Sequence, residues 1–156
     1  MSLNTVYAPI LNSAVAKISD ILTDLATEPL FVEKFALAFG TTISAEQFLQ
    51  VVTALPEIEV LADGELQGAL GAFSSQTQKI YLSADLVAGD AARLQSVLIE
   101  EIGHFVDAQV NGVDSPGDEG AIFAAVVLGQ DLSASQLAQL KAEDDHEVIS
   151  LNLNYS

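Results

Sequence analysis

The sequence predicts an α+β fold: helices first, then a small mainly antiparallel sheet, then a long helix followed by C-terminal helices. Three observations carry that expectation. Apolar residues recur at helical spacing over positions 1–55. From Pro56 to Ser83 they alternate with polar residues around turn signals, and after Asp90 the helical period returns.

The length, 156 residues, suits a single domain, 1–156, and with 50% apolar residues it can bury a sizeable core. Within it, 1–55 reads as a helical subregion and 56–156 as the part that carries chemistry.

Val6, Ile10, Val15, Ile18, Ile21, Leu22 and Leu25 broadly follow a helical period, which Glu28-Pro29 breaks. A second helix is expected over Leu30–Phe39, stopped by Gly40. Ser44, with Gln47 three residues on, forms a capping-box pattern for a third helix to about Ala54. Ile58 and Val60 alternate with Glu57 and Glu59, a strand signature, and Asp63-Gly64 marks a turn. Leu70–Phe73 and Lys79–Ser83, joined by Ser74-Ser75-Gln76-Thr77, read as a hairpin.

Asp90 is placed to cap a long helix to about Val110, which Asn111-Gly112 ends before a Ser115-Pro116-Gly117 loop. Asp118 caps an apolar helix to about Leu128, closed by Gly129, and Ser133 with Gln136 begins a short helix to about Glu143. The alternation from Val148 to Leu153 suits an edge strand.

Composition restricts function. Twenty-two acidic residues face five basic ones, for a formal charge of −17. Such a surface repels phosphate backbones and anionic lipid, so nucleic-acid partners are not expected, and it attracts cations. The absence of cysteine excludes thiolate metal sites, disulfides and cysteine catalysis. No stretch has membrane-spanning length and no signal peptide is visible at the N-terminus. The chain is expected to be soluble, and either cytoplasmic or exported by a signal outside it.

The chemistry concentrates in Glu100-Glu101-Ile102-Gly103-His104. On a helix turning by about 100° per residue, Leu94, Leu98, Ile102, Phe105 and Val106 form an apolar face, and Glu100, His104 and Asp107 cluster on the adjoining flank. Glu100 and His104 lie one turn apart and can grip one cation. Glu101 falls between flank and core, where a charge is expensive unless paired or protonated. Gly103 costs about 1 kcal/mol relative to alanine within a helix, which suggests close approach by another element.

This segment resembles the zincin metallopeptidase signature, His-Glu-x-x-His on a helix, with Glu100 in place of the first histidine. In that family an edge strand ahead of the active-site helix binds extended substrate, and Gly71 to Ser83 sits where it would lie. Ser115 to Gly129 resembles the following helix of the glutamate-zincins, which supplies a third ligand: Glu119 here, with Asp118 second. The stretch from about Leu70 to His146 is also similar to N-terminal modules of large cyanobacterial proteins with hemolysin-type calcium repeats. The resemblance implies a zincin-like fold in which Glu100, His104 and Glu119 hold one divalent ion. Glu101 would be the general base that activates water against a peptide bond, with a peptide or protein as substrate.

The departure has consequences. One imidazole with two carboxylates is a harder donor set than the usual zincin one and accepts zinc, manganese or iron. It also leaves the ion a weaker Lewis acid. The alternative is a non-catalytic domain that keeps the fold as a structural or interaction module of a larger protein.

Other readings of the same residues stand beside this one. Glu100 and Glu101 could be surface carboxylates beside an ordinary helix histidine. Glu101-x-x-His104 and Glu143-x-x-His146 match the repeated unit of di-iron carboxylate bundles, but a hairpin interrupts the four helices this needs. The acidic cluster Asp144-Asp145-His146 suits a turn or a loose calcium contact better. His104 and His146 alone offer no positioned serine triad, the sugar-stacking tryptophans often found in glycosidases are absent, and there is no glycine-rich phosphate loop.

Overall fold

The computed structural model describes residues 2–62, 64–111, 119–128 and 135–136, with Glu119 and Gly120 described by backbone alone. In chain order the elements are α1 (Leu3–Ala26), α2 (Phe31–Phe39), α3 (Ala45–Val52), β1 (Glu57–Leu61), β2 (Gly71–Ser74), β3 (Lys79–Ser83), α4 (Ala84–Ala88), α5 (Ala91–Asn111) and α6 (Glu119–Val127). Mixed helix and sheet bear out the α+β expectation.

Local chemistry explains most element ends. The Ser2 hydroxyl accepts from the Thr5 N–H at 3.2 Å and starts α1. Gly40 ends α2 at φ 71°, a left-handed conformation that costs glycine little, and its N–H donates to the Ala36 carbonyl. The expected capping box opens α3: the Gln47 N–H donates to Ser44 Oγ, and the Ser44 N–H to Gln47 Oε1. Asp90 caps α5 as expected, its carboxylate accepting from the Ala92 N–H at 3.0 Å. The short helix α4 has no counterpart in the sequence reading. Ser83, the end of the expected strand, also caps this helix by accepting from the Leu86 N–H.

The sheet corrects one expectation. Its order is β1-β3-β2, with β1 parallel to β3 and β2 antiparallel to β3, so it is mixed rather than mainly antiparallel. The hairpin is β2–β3, but β1 lies beside the far strand of that hairpin. Alternation along β1 indicated a strand without indicating its neighbour. Central β3 carried the clue in its near-continuous apolar run, with Ile80, Tyr81, Leu82 and Ser83 all buried.

The two faces of the sheet differ. Val60, Ile80 and Leu82 join the main core, with Ile58 and Phe73 packed against it. That core is contiguous from Leu11 in α1 to Ala124 in α6. Leu61, Ala72 and Tyr81 form a smaller cluster on the other face with Leu66, from the loop between β1 and β2. On β3 and β1, Lys79 bridges Glu59 at 3.4 Å and Glu57 at 3.6 Å, and the hydrogen bond to Glu59 raises the Lys79 pKa above its ordinary value.

An aromatic cluster fills the core away from the sheet. The Phe35 ring lies 4.7 Å from Phe39 and 5.9 Å from Phe48, and Phe31 lies 5.1 Å from Phe48. Phe123 of α6 closes the cluster at 5.2 Å from Phe39. This packing seats α6 on α2, while α6 also runs against α5. Among the described residues, no helix is long and apolar enough to cross a membrane. Gly112, the 115–117 loop, the Asp118 cap, Gly129, most of the helix expected to Glu143, the 144–146 cluster and the 148–153 strand lie outside the described residues.

Candidate functional site

Helix α5 carries the Glu-Glu-x-x-His segment, and its apolar stripe fixes how that segment faces the rest of the molecule. Leu94, Leu98, Ile99, Ile102, Phe105 and Val106 are all buried against the sheet and the neighbouring helices. Burying that stripe is the dominant orienting force on the helix, and the polar residues take the directions it leaves.

Those directions point further inward than an amphipathic flank. His104 is 5% exposed and Asp107 is 0% exposed, while Glu100 and Glu101 are half-buried. Glu100, His104 and Asp107 share one side of α5, as their spacing predicts, but that side is buried at His104 and Asp107 and only half-open at Glu100. Gly103 is buried as well.

Buried polar groups require partners. The Asn111 side-chain amide donates to Asp107 Oδ1 one turn back along α5. The same nitrogen is 3.3 Å from the carbonyl oxygen of Phe39, the last residue of α2. In the sequence Asn111 stands only as a helix terminator. An aspartate and an asparagine four residues apart could have been recognised as a side-chain pair.

Glu101 has a specific neighbour in the sheet. A Cβ placed on Gly71, the first residue of β2, would lie 3.3 Å from Glu101 Cγ, 3.0 Å from Val97 Cγ1 and 3.2 Å from Leu82 Cδ2. Gly71 is therefore a close-approach glycine: the missing side chain lets the edge strand settle onto α5 where Glu101 leaves the helix. The T-shaped pair of Phe73 and Phe105, with centroids 5.8 Å apart, fastens the next turn of the same contact. The sequence places Gly71 within the expected strand Leu70–Phe73 and does not show what approaches it.

The remaining site residue, Glu119, is the first residue of α6, the helix that packs along α5. Its side chain and Asp118 lie outside the described groups. Among the described residues there is no cluster of three histidine, aspartate or glutamate side chains able to hold a metal ion. Glu100 and His104, one turn apart on α5, would supply two of three donors to such an ion, one carboxylate and one imidazole. That donor chemistry fits a divalent ion of the zinc, manganese or iron type.

Two surface hollows flank the sheet. One of about 460 Å³ lies between the end of α3 and α5, lined by Val51, Phe105 and Gln109 among others. The other, about 620 Å³, runs beside β1 and the start of α1. Neither is lined by Glu100, Glu101 or His104.

No family model, curated protein or solved structure matches this chain.

Proposed function

We propose that the protein is a zincin-like, metal-dependent peptidase domain, with a single divalent ion held by Glu100, His104 and Glu119 and with Glu101 as the general base. The observation that carries this reading is the placement of the Glu-Glu-x-x-His helix against an antiparallel edge strand. Glu101 leaves α5 beside Gly71 of β2, and His104 sits one turn away in a nearly dry environment.

Each residue would act through ordinary chemistry. An ion bound there would lower the pKa of a coordinated water and polarise the substrate carbonyl. Glu101, next to the edge strand, would take the proton from the attacking water and return it to the leaving amine. The outer edge of β2 would align an extended peptide by main-chain hydrogen bonds, within the segment Leu70 to Ser83. Asp107 and Asn111, bonded to each other, would hold the lower end of the polar row fixed beneath the imidazole.

A second reading has its own support. Buried His104 and Asp107, with Asp107 bonded to Asn111, also suit a satisfied polar layer that specifies the packing of α5 without any ion. On that reading the domain is a non-catalytic structural or interaction module of a larger calcium-repeat protein.

Elemental analysis after stripping and reloading with zinc, manganese or iron separates the two readings. The peptidase reading expects one tightly held ion per chain, lost in His104→Ala and retained in Glu101→Gln. Loading at a hundredfold excess over Kd should raise unfolding stability by about 2.7 kcal/mol. Glu101→Gln should also slow cleavage of casein or a peptide library by about 10²–10⁴-fold. Absence of a stoichiometric ion under every loading would leave the structural module as the standing explanation.

A further inference from the structure

Among the described residues the sheet has two edges, β1 and β2, and the chain treats β1 in an unusual way. Asn4, in the first turn of α1, reaches across more than fifty residues of sequence to the outer side of this strand. Its side-chain Nδ2 donates to the Ile58 carbonyl at 2.7 Å, and its Oδ1 accepts from the Val60 N–H at 2.8 Å. In a parallel ladder, one residue of an added strand makes this same pair of bonds, donating to the carbonyl of one residue and accepting from the N–H two residues on. The carboxamide of Asn4 has the donor and acceptor of a peptide group. It therefore stands in for one residue of a missing neighbour strand, opposite Glu59.

We propose that Asn4 is an edge-closing residue, whose carboxamide blocks strand addition at β1 and ties the first turn of α1 to the sheet. An exposed strand edge with unpaired N–H and C=O groups is a template for another chain. Here the Ile58 carbonyl and the Val60 N–H of that edge are occupied by a side chain that cannot propagate a ladder. Glu57 and Glu59, which point to the face opposite the main core, add a second barrier. An antiparallel second copy centred on Glu59 would set the two Glu59 carboxylates face to face. The occupant excluded is thus a second copy of this chain, and the exclusion has a hydrogen-bonding part and a salt-sensitive charged part.

The groove beside this edge, about 620 Å³ and lined by Ser2, Leu3 and Asn4 on one side and β1 on the other, is the space that an added strand would enter. The device is independent of the site proposed above, whose Glu101 lies beside Gly71 of β2 at the other edge.

The test begins with the unaltered protein. A scalar coupling across the hydrogen bond from the Val60 amide to the Asn4 side-chain carbonyl carbon should be measurable by NMR. In Asn4→Ala the Val60 amide should exchange about tenfold faster, the worth of one net hydrogen bond, while the Ile80 amide in central β3 keeps its protection. Asn4→Asp retains the acceptor for Val60 and loses the donor to Ile58, so it should fall between the two and guards against misreading a folding defect. In about 1 M salt, where charge repulsion is screened to about 3 Å, sedimentation equilibrium should show Asn4→Ala associating beyond the wild type. Three results would overturn the proposal: no coupling, unchanged Val60 protection in Asn4→Ala, or an exposed Val60 with association no greater than wild type.

Discussion

Helix α1 buries Leu11, Ile18, Leu22, Leu25 and Ala26, all apolar, and leaves Lys17, Asp20 and Asp24 in solvent. The slightly shorter α5 buries a comparable aliphatic stripe, and with it His104 and Asp107. The first helix follows the ordinary division of an amphipathic surface. The second departs from it at a cost, since each buried polar group must find a partner or weaken the fold. Two elements of one core thus answer to different demands: α1 with α2 and α3 supplies packing, while α5 carries a row of polar groups that packing alone does not require.

The largest effect should come from the region built for packing. Phe48 is 0% exposed and meets Phe31, Phe35 and Phe123. Phe48→Ala should cost about 3–5 kcal/mol in denaturant unfolding, because a cavity opens among rings held by three separate helices. A loss below about 1 kcal/mol would mean that the aromatic cluster is not the anchor of the N-terminal helices.

Asp107→Ala should cost less, about 1–3 kcal/mol, chiefly because the Asn111 amide loses the carboxylate that accepts from it. Pairing it with Asn111→Ala in a double-mutant cycle sharpens the comparison. A coupling energy well above zero locates the cost in the pair, whereas simple additivity would remove the polar row as an explanation of α5.

The smallest effect is expected at Gly71→Ala, a net loss of about 1 kcal/mol. Crowding against Val97 and Leu82 outweighs the smaller entropic gain of replacing glycine. Because Glu101 shares that contact, the same variant should change peptide cleavage far more than it changes stability if Glu101 is the base. Equal and small effects on both would detach Gly71 from the site.

Much of the helical architecture was legible because its signals are local. Ser44 with Gln47, Gly40 and Asp90 act within a single turn of chain, and each cap stands where the residue types placed it. The alternation of Ile58 and Val60 with Glu57 and Glu59 also held: the apolar pair faces the main core, and both glutamates reach Lys79. Helix α4 went unseen, since five residues are too few to show a period. At the site, Glu100 and His104 share a side of α5 as their spacing required, but spacing is silent on depth. His104 and Asp107 are buried in a fold where α6 packs along α5 and the sheet lies against it, and no window of sequence contains that information.

The sequence by itself determined where the chain turns helical or extended, which residues are apolar on each element, and that Glu100, Glu101 and His104 are grouped on one helix. These follow from backbone geometry and side-chain chemistry within a few residues. Only the tertiary structure decided that β1 pairs parallel with β3, that Gly71 admits α5 to the edge strand beside Glu101, and that Asn4 closes the far edge of the sheet. Each of those joins groups separated by more than twenty residues, and such contacts are selected by the burial and hydrogen bonding of the whole chain at once, not by any local preference.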